Sequence, residues 1–161
     1  MFAWKACLDI LPVKANLIKK CIPLTDRCEV CGEGVETVRH CLFQCEFAER
    51  VWLAAGLDHL WQLGLTCDFF AWIWRISSSH GSAVLGLVFS MCWGIWLHHN
   101  QVIFAKTNSC AGEVASIALN SFSTLSDAQD ILPQIASLAS LPAWLPPDVG
   151  VFMLNYDGAI G

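Results

Sequence analysis

The stretch CEVCGEGVETVRHCLFQC (28–45) decides how this chain folds. Cys28 and Cys31 flank a two-residue spacer, and Gly32 follows at once, where the backbone must turn back. Eight residues separate Cys31 from His40, and four separate His40 from Cys45. Three thiolates and one imidazole supplied at these intervals close a tetrahedron suited to one structural Zn²⁺. Four protein ligands leave no open position for water, so the expected metal is structural rather than catalytic. A redox Cys-x-x-Cys pair is the rival reading. It needs a strand–helix context, which Asp26-Arg27 before the pair and Gly32-Glu33-Gly34 after it do not supply. Cys41, next to His40, could replace a ligand; the expectation is a small buried residue beside the site, and Cys21 is likewise expected in the core.

Working outward, Phe2 to Ile10 reads as a short helix interrupted at Leu11-Pro12. Pro12 suits the first turn of a second helix, Val13 to Lys20, whose closing lysines are favoured by the helix dipole. On the other side of the Cys-rich segment, Ala48, Val51, Trp52 and Ala55 fall on one helical face, and Gly56 ends the pattern. Residues 67–76 are a short apolar run whose periodicity leaves helix and strand open, and SSSHGS (77–82) reads as a loop. A long helix is predicted over about 83–105 and an amphipathic one over 112–125. Residues 126–143 read as a linker and 151–156 as a short strand. The fold class is therefore mainly α, organised around a small Cys3His finger, with a short β-strand at the C-terminus.

The 161-residue chain is 55% hydrophobic and 14% charged, with eight Trp and a mean hydropathy of +0.51. That excludes a disordered chain and leaves two options: nearly everything is buried, or a partner covers the rest. The longest apolar run, Ala83 to Leu97, is 15 residues and is followed by His98, His99 and Asn100. A spanning helix needs roughly 20 apolar residues, so no membrane span is expected. Neither a charged n-region nor a cleavage site opens the chain, so no secretory signal is expected. Nine cysteines without such a signal speak against a disulfide framework, and Cys67, Cys92 and Cys110 read as small core residues. The formal charge of −5 is unevenly placed: residues 1–27 carry a local +3, while only Arg75 and Lys106 are basic after Arg50. Any nucleic-acid contact is expected in the first third.

Taken with their flanks, these residues resemble the zinc-binding domain downstream of the polymerase in plant non-LTR (LINE-like) retrotransposon reverse transcriptases. The matching pieces are FAWKACLDILPVKANLIKK (2–20), the CEVC…H…C block (28–45) and FAERVW (47–52). Further on, Trp93-Gly94-Ile95-Trp96 with Asn100 and Phe104 is similar to the Trp-x-x-Trp helix that follows the finger in that family. The C-terminal segment, Trp144 to Gly150 and then Leu154 to Ala159, resembles the opening of a plant RNase H-like domain. There Asp157 matches a metal-binding catalytic carboxylate. Four residues follow Asp157 in this chain, so no complete nuclease site is expected. His99 and Met153 stand where the family favours basic residues, which removes positive charge.

The resemblance implies a non-catalytic module that helps a reverse transcriptase engage RNA or DNA, through Lys14, Lys19, Lys20, Arg27 and Arg39. Trp4 or Phe43 would be the stacking groups. A protein-interaction module packing against the polymerase or RNase H portions is the second reading, and a remnant of an RNase H-type nuclease, resting on Asp157, the third. His98-His99 lacks the spacing and the Glu of a metalloprotease pair, and Ser77–Ser79 with His80 have no acid partner, so no self-contained enzyme is expected. A nuclear location is compatible with the resemblance, although no localisation signal shows one.

Overall fold

The computed structural model describes residues 1–106 and 108–138, with side chains described to residue 125. Six α-helices follow in order: α1 (Phe2–Cys7), α2 (Lys14–Lys19), α3 (Glu46–Ala54), α4 (Asp58–Gly64), α5 (Phe69–Phe104) and α6 (Ala111–Leu138). A π-helical turn, His40–Gln44, precedes α3. The strand expected at 151–156, Asp157 and the RNase H-like opening at 144–161 lie outside the described residues. Met1–Ser126 form one compact unit.

Each helix end has a local cause. Pro12 and the hydrogen bonds of Asn16 fix the corner between α1 and α2. The Asn16 amide donates to the carbonyls of Asp9 (2.7 Å) and Leu11 (3.0 Å), holding a chain that turns through a left-handed Asp9. That turn ends α1 at Cys7, short of the expected Ile10. Glu46 and Glu49 occupy the first turn of α3, where the dipole favours carboxylates. Gly56 closes it with φ +69°: the Leu57 N–H reaches the Trp52 carbonyl and the Gly56 N–H that of Leu53, each at 3.0 Å. This pair of bonds is the Schellman arrangement, which needs a left-handed residue.

The apolar run 67–76 becomes the start of α5, capped by Asp68, whose carboxylate accepts the Ala71 N–H at 2.8 Å. The loop expected at 77–82 shrinks to a single break at Gly81 (φ 79°, ψ −178°), with Ser77–Ser79 and His80 helical and exposed. Polar serines mark an exposed helical face here rather than a chain reversal. By length and composition α5 could cross a membrane, although its Ala83–Leu97 run alone is too short. Within this unit it contributes Phe69, Trp72, Ile76, Val88, Met91, Cys92 and Ile95 to the core, while 22% of its apolar window is buried. α6 continues to Leu138, so residues 126–138 of the expected linker are helical.

The core is one cluster that runs from Ala6 and Leu11 through the finger residues Val38, Leu42 and Phe43 to α3, α5 and Ala118 of α6. Aromatic rings knit it: Phe43 meets Trp72 edge-on at 4.7 Å, and Trp52 meets Trp72 at 5.8 Å. Three indoles find carbonyl acceptors, Trp52 on Leu42, Trp61 on Phe43 and Trp72 on Leu60, so their burial leaves no N–H unpaired. Close approach sets two contacts: a Cβ on Gly64 would stand 2.6 Å from the Phe43 ring, and one on Gly94 3.2 Å from Ala118 Cβ.

Candidate metal centre

The Cys28–Cys31 turn is a small hairpin. Arg27 bridges Val35 across it, the Gly32 N–H donates to the Cys28 carbonyl at 3.0 Å, and the Cys28 N–H donates to Gly34 at 3.2 Å. Gly32 and Gly34 take φ +72° and +69°, a region that costs other residues about 1–2 kcal/mol. Gly34 has a second reason to be glycine. A Cβ there would stand 3.0 Å from Cε1 and 3.1 Å from Nδ1 of His40, so its hydrogen leaves the imidazole room to turn Nε2 toward the thiols.

The second pair of donors comes from the π turn. Thr37 Oγ1 accepts the His40 N–H at 3.0 Å and starts the turn; the Cys45 N–H then closes on the His40 carbonyl at 2.8 Å. This five-residue hydrogen bond brings His40 and Cys45 around to the same place. Cys45 also caps α3. Hydrogen bonding from Cys28 holds the Cys45 thiol below its ordinary pKa against the effect of burial, and the N–H groups of Ala48 and Phe47 in the first turn of α3 add to the lowering.

The ligand atoms of Cys28, Cys31, His40 and Cys45 all lie within 4.8 Å of one another, and Cys31 Sγ is 3.4 Å from His40 Nε2. Zinc–sulfur bonds of about 2.3 Å and a zinc–nitrogen bond of about 2.0 Å, tetrahedrally arranged, place donors about 3.6 Å apart. Donor chemistry and spacing therefore fit one zinc ion. Such an ion would contribute directly to folding a segment that has little core of its own. Residues 1–52 match the family model described as zinc-binding in reverse transcriptase. The match covers α1, α2, the finger and most of α3, about a third of the chain. No curated protein and no solved structure matches the chain.

Within this zinc-binding segment the neighbouring cysteines part company. Cys41 stands outside the ligand cluster, buried, with its thiol pushed well up by desolvation and by the charge of Glu36. It is the core residue expected. Cys21, by contrast, is exposed in a left-handed turn (φ 60°), and beyond the finger Cys110 is also exposed, so neither is a core residue. Cys92 is fully buried and Cys67 half-buried, with its thiol on the Leu63 carbonyl.

The basic residues divide just as sharply. Lys14 is 7% exposed; its ammonium donates to the Arg27 carbonyl at 2.7 Å and to Glu29 at 2.6 Å. It ties α2 to the finger instead of facing a phosphate. Glu36 completes that joint by accepting the N–H groups of Lys14, through its carboxylate, and Ala15, through its carbonyl. Burial raises the pKa of Glu36. Arg39 is exposed but spends its guanidinium on the Leu65 carbonyl at the end of α4. Lys19, Lys20 and Arg27 are exposed; Lys19 reaches only Asn16 and Arg27 only the Gly32 carbonyl. Phe43 is 1% exposed and cannot stack on a base, whereas Trp4 is 58% exposed.

Sequence reading missed the role of His98 and His99. Both are buried on α5: His98 stacks on Phe47 of α3 with ring centroids 4.0 Å apart, and His99 Nδ1 bonds the Ile95 carbonyl at 2.9 Å. The signal available was their position after an apolar helix run, which favours core over ligand.

Proposed function

We propose that the chain is a structural, non-catalytic zinc module of a LINE-like retrotransposon reverse transcriptase, of the plant type its motifs resemble, that positions RNA or DNA for its polymerase. The observation that carries this reading is the closed Cys3His set inside the segment that matches the reverse-transcriptase zinc-binding family. A metal with four protein donors has no site for substrate, so its contribution is to hold the Cys28–Cys31 hairpin, the π turn and the start of α3 in register. Lys19, Lys20 and Arg27, exposed on that framework, are the phosphate contacts we assign. Lys14, buried, holds α2 to the finger, and Arg39 holds the finger to the end of α4.

Fluorescence anisotropy of zinc-loaded protein with a single-stranded oligonucleotide tests this. Three phosphate contacts give a log–log salt slope of about −2. The Lys19→Gln/Lys20→Gln/Arg27→Gln variant should lose most of that slope while retaining zinc. No binding at low salt would overturn the nucleic-acid reading and leave a structural module.

A second reading has a specific observation behind it. Phe70 and Trp74, 59% and 67% exposed on the first half of α5, suit contact with a protein such as the polymerase or RNase H portions of a parent polyprotein. Association of the isolated chain that is lost on Phe70→Ser/Trp74→Ser would favour it.

A further inference from the structure

Between α1 and α5 lies an open cleft of roughly 430 Å³, walled by Phe2, Leu11 and Pro12 on one side and by Trp93 and Trp96 on the other. The two indoles are stacked at 26° with centroids 5.5 Å apart, and Phe2 meets Trp93 edge-on at 5.5 Å and Trp96 at 5.9 Å. Trp93 remains 44% exposed, although α5 buries Met91, Cys92 and Ile95 beside it. Lys5 is the charged side chain of the lining, and no carboxylate lines the cleft. One wall of the cleft, with Phe2, Lys5, Leu11 and Pro12, comes from the segment where basic residues outnumber acidic ones, and the other, with Trp93 and Trp96, comes from α5.

Resting on the reading that the module engages nucleic acid, we propose that this cleft takes one unpaired base of a single strand, stacked on Trp93, which Trp96 backs, with Lys5 at the adjoining phosphate. An exposed indole face offers stacking to any base, and a duplex cannot use it because its base faces are already covered. A cationic ligand, which an aromatic cage would otherwise suit, is opposed by Lys5 and by the lack of a carboxylate. A strand held here has a neighbouring phosphate for a cation that is already in the wall, so the site is complementary in both shape and charge. Trp93 then supplies base preference without sequence preference, while Lys19, Lys20 and Arg27 supply salt-dependent affinity.

The test uses the zinc-loaded full chain with two fluorescein-labelled 12-mers of equal charge, one of uridines and one abasic. The wild type should bind the uridine strand about tenfold more tightly than the abasic one. Trp93→Leu should abolish that difference and leave abasic binding unchanged, with zinc content and helical circular dichroism intact. Lys5→Gln should reduce the salt slope by about 0.7. Equal binding of both strands by the wild type overturns the base site while the phosphate reading stands, and it needs no variant to fold. Binding of neither strand overturns both. Indole quenching by an apolar peptide but not by either strand would assign the cleft to a protein and overturn the proposal.

Discussion

The Lys14 ammonium lies 2.6 Å from the Glu29 carboxylate with 8% of the lysine side chain exposed, so the helix before the finger is bolted to the finger by charge. Replacing Lys14 by Met removes this pair and the donor to the Arg27 carbonyl. Unfolding of the zinc-loaded protein in denaturant should show a loss of about 1–3 kcal/mol. The salt slope of nucleic-acid binding should not move; a drop of about 0.7 would return Lys14 to the phosphate contacts. Hydrogen bonding and charge from Lys14 hold the Glu29 carboxyl below its ordinary pKa. Its small contribution is therefore full above pH about 4.3 and disappears as the pH falls through the lowered folded value.

Zinc stoichiometry separates ligand from neighbour. Wild type should hold one zinc per chain by mass spectrometry or atomic absorption. Cys28→Ser and Cys45→Ser should lose the metal together with helical signal. Cys41→Ala should keep the metal and pay only for a small cavity, about 1 kcal/mol. Zinc lost from Cys41→Ala would make Cys41 the ligand instead.

Two glycines in the same turn should behave differently. Gly32 and Gly34 share a left-handed backbone, so alanine at either costs about 1–2 kcal/mol of strain. Only the Cβ at position 34 meets the His40 ring; at position 32 nothing lies within 4 Å. Gly34→Ala should weaken zinc affinity by about tenfold or more, measured by chelator competition, and Gly32→Ala by much less. Equal effects would show that backbone strain alone governs the turn.

Stability is expected to depend on pH through His98. Burial, helped by the charge of His99, lowers its pKa, and neither ring nitrogen has a partner. A base with a depressed folded pKa binds its proton more readily when unfolded. Its neutral form is thus fully stabilising above pH about 6.5, and that contribution is lost as the pH falls through the lowered folded value. Denaturation midpoints from pH 7.5 to 5.5, read beside zinc content, should fall for wild type and fall less for His98→Phe. The phenylalanine keeps the stack on Phe47 and removes two unpaired buried nitrogens, so its midpoint at pH 7.5 should equal or exceed wild type. Parallel profiles would clear His98 of this role.

The ligand set was legible because metal chemistry restricts residue type and spacing so tightly: Cys28, Cys31, His40 and Cys45 could be named from their intervals, and the structure brings them together. Gly56 was legible as a stop, since a helix that must end through a left-handed residue favours glycine. Both are local requirements, met within a few residues of where they are written.

What local pattern could not supply was the partner of each polar side chain. Lys14 looks like any solvated lysine until the finger folds back and presents Glu29 and the Arg27 carbonyl to it, 15 and 13 residues away. Phe43 reads as a stacking group until Trp72 and Gly64 close over it, and Ser77–Ser79 read as a loop until α5 runs through them with one break at Gly81. The sequence by itself determined the metal and the helical class, because both follow from residue chemistry and spacing along the chain. Which charges are buried, and which aromatic faces stay open, only the tertiary structure decided, because burial depends on contacts between segments far apart in sequence.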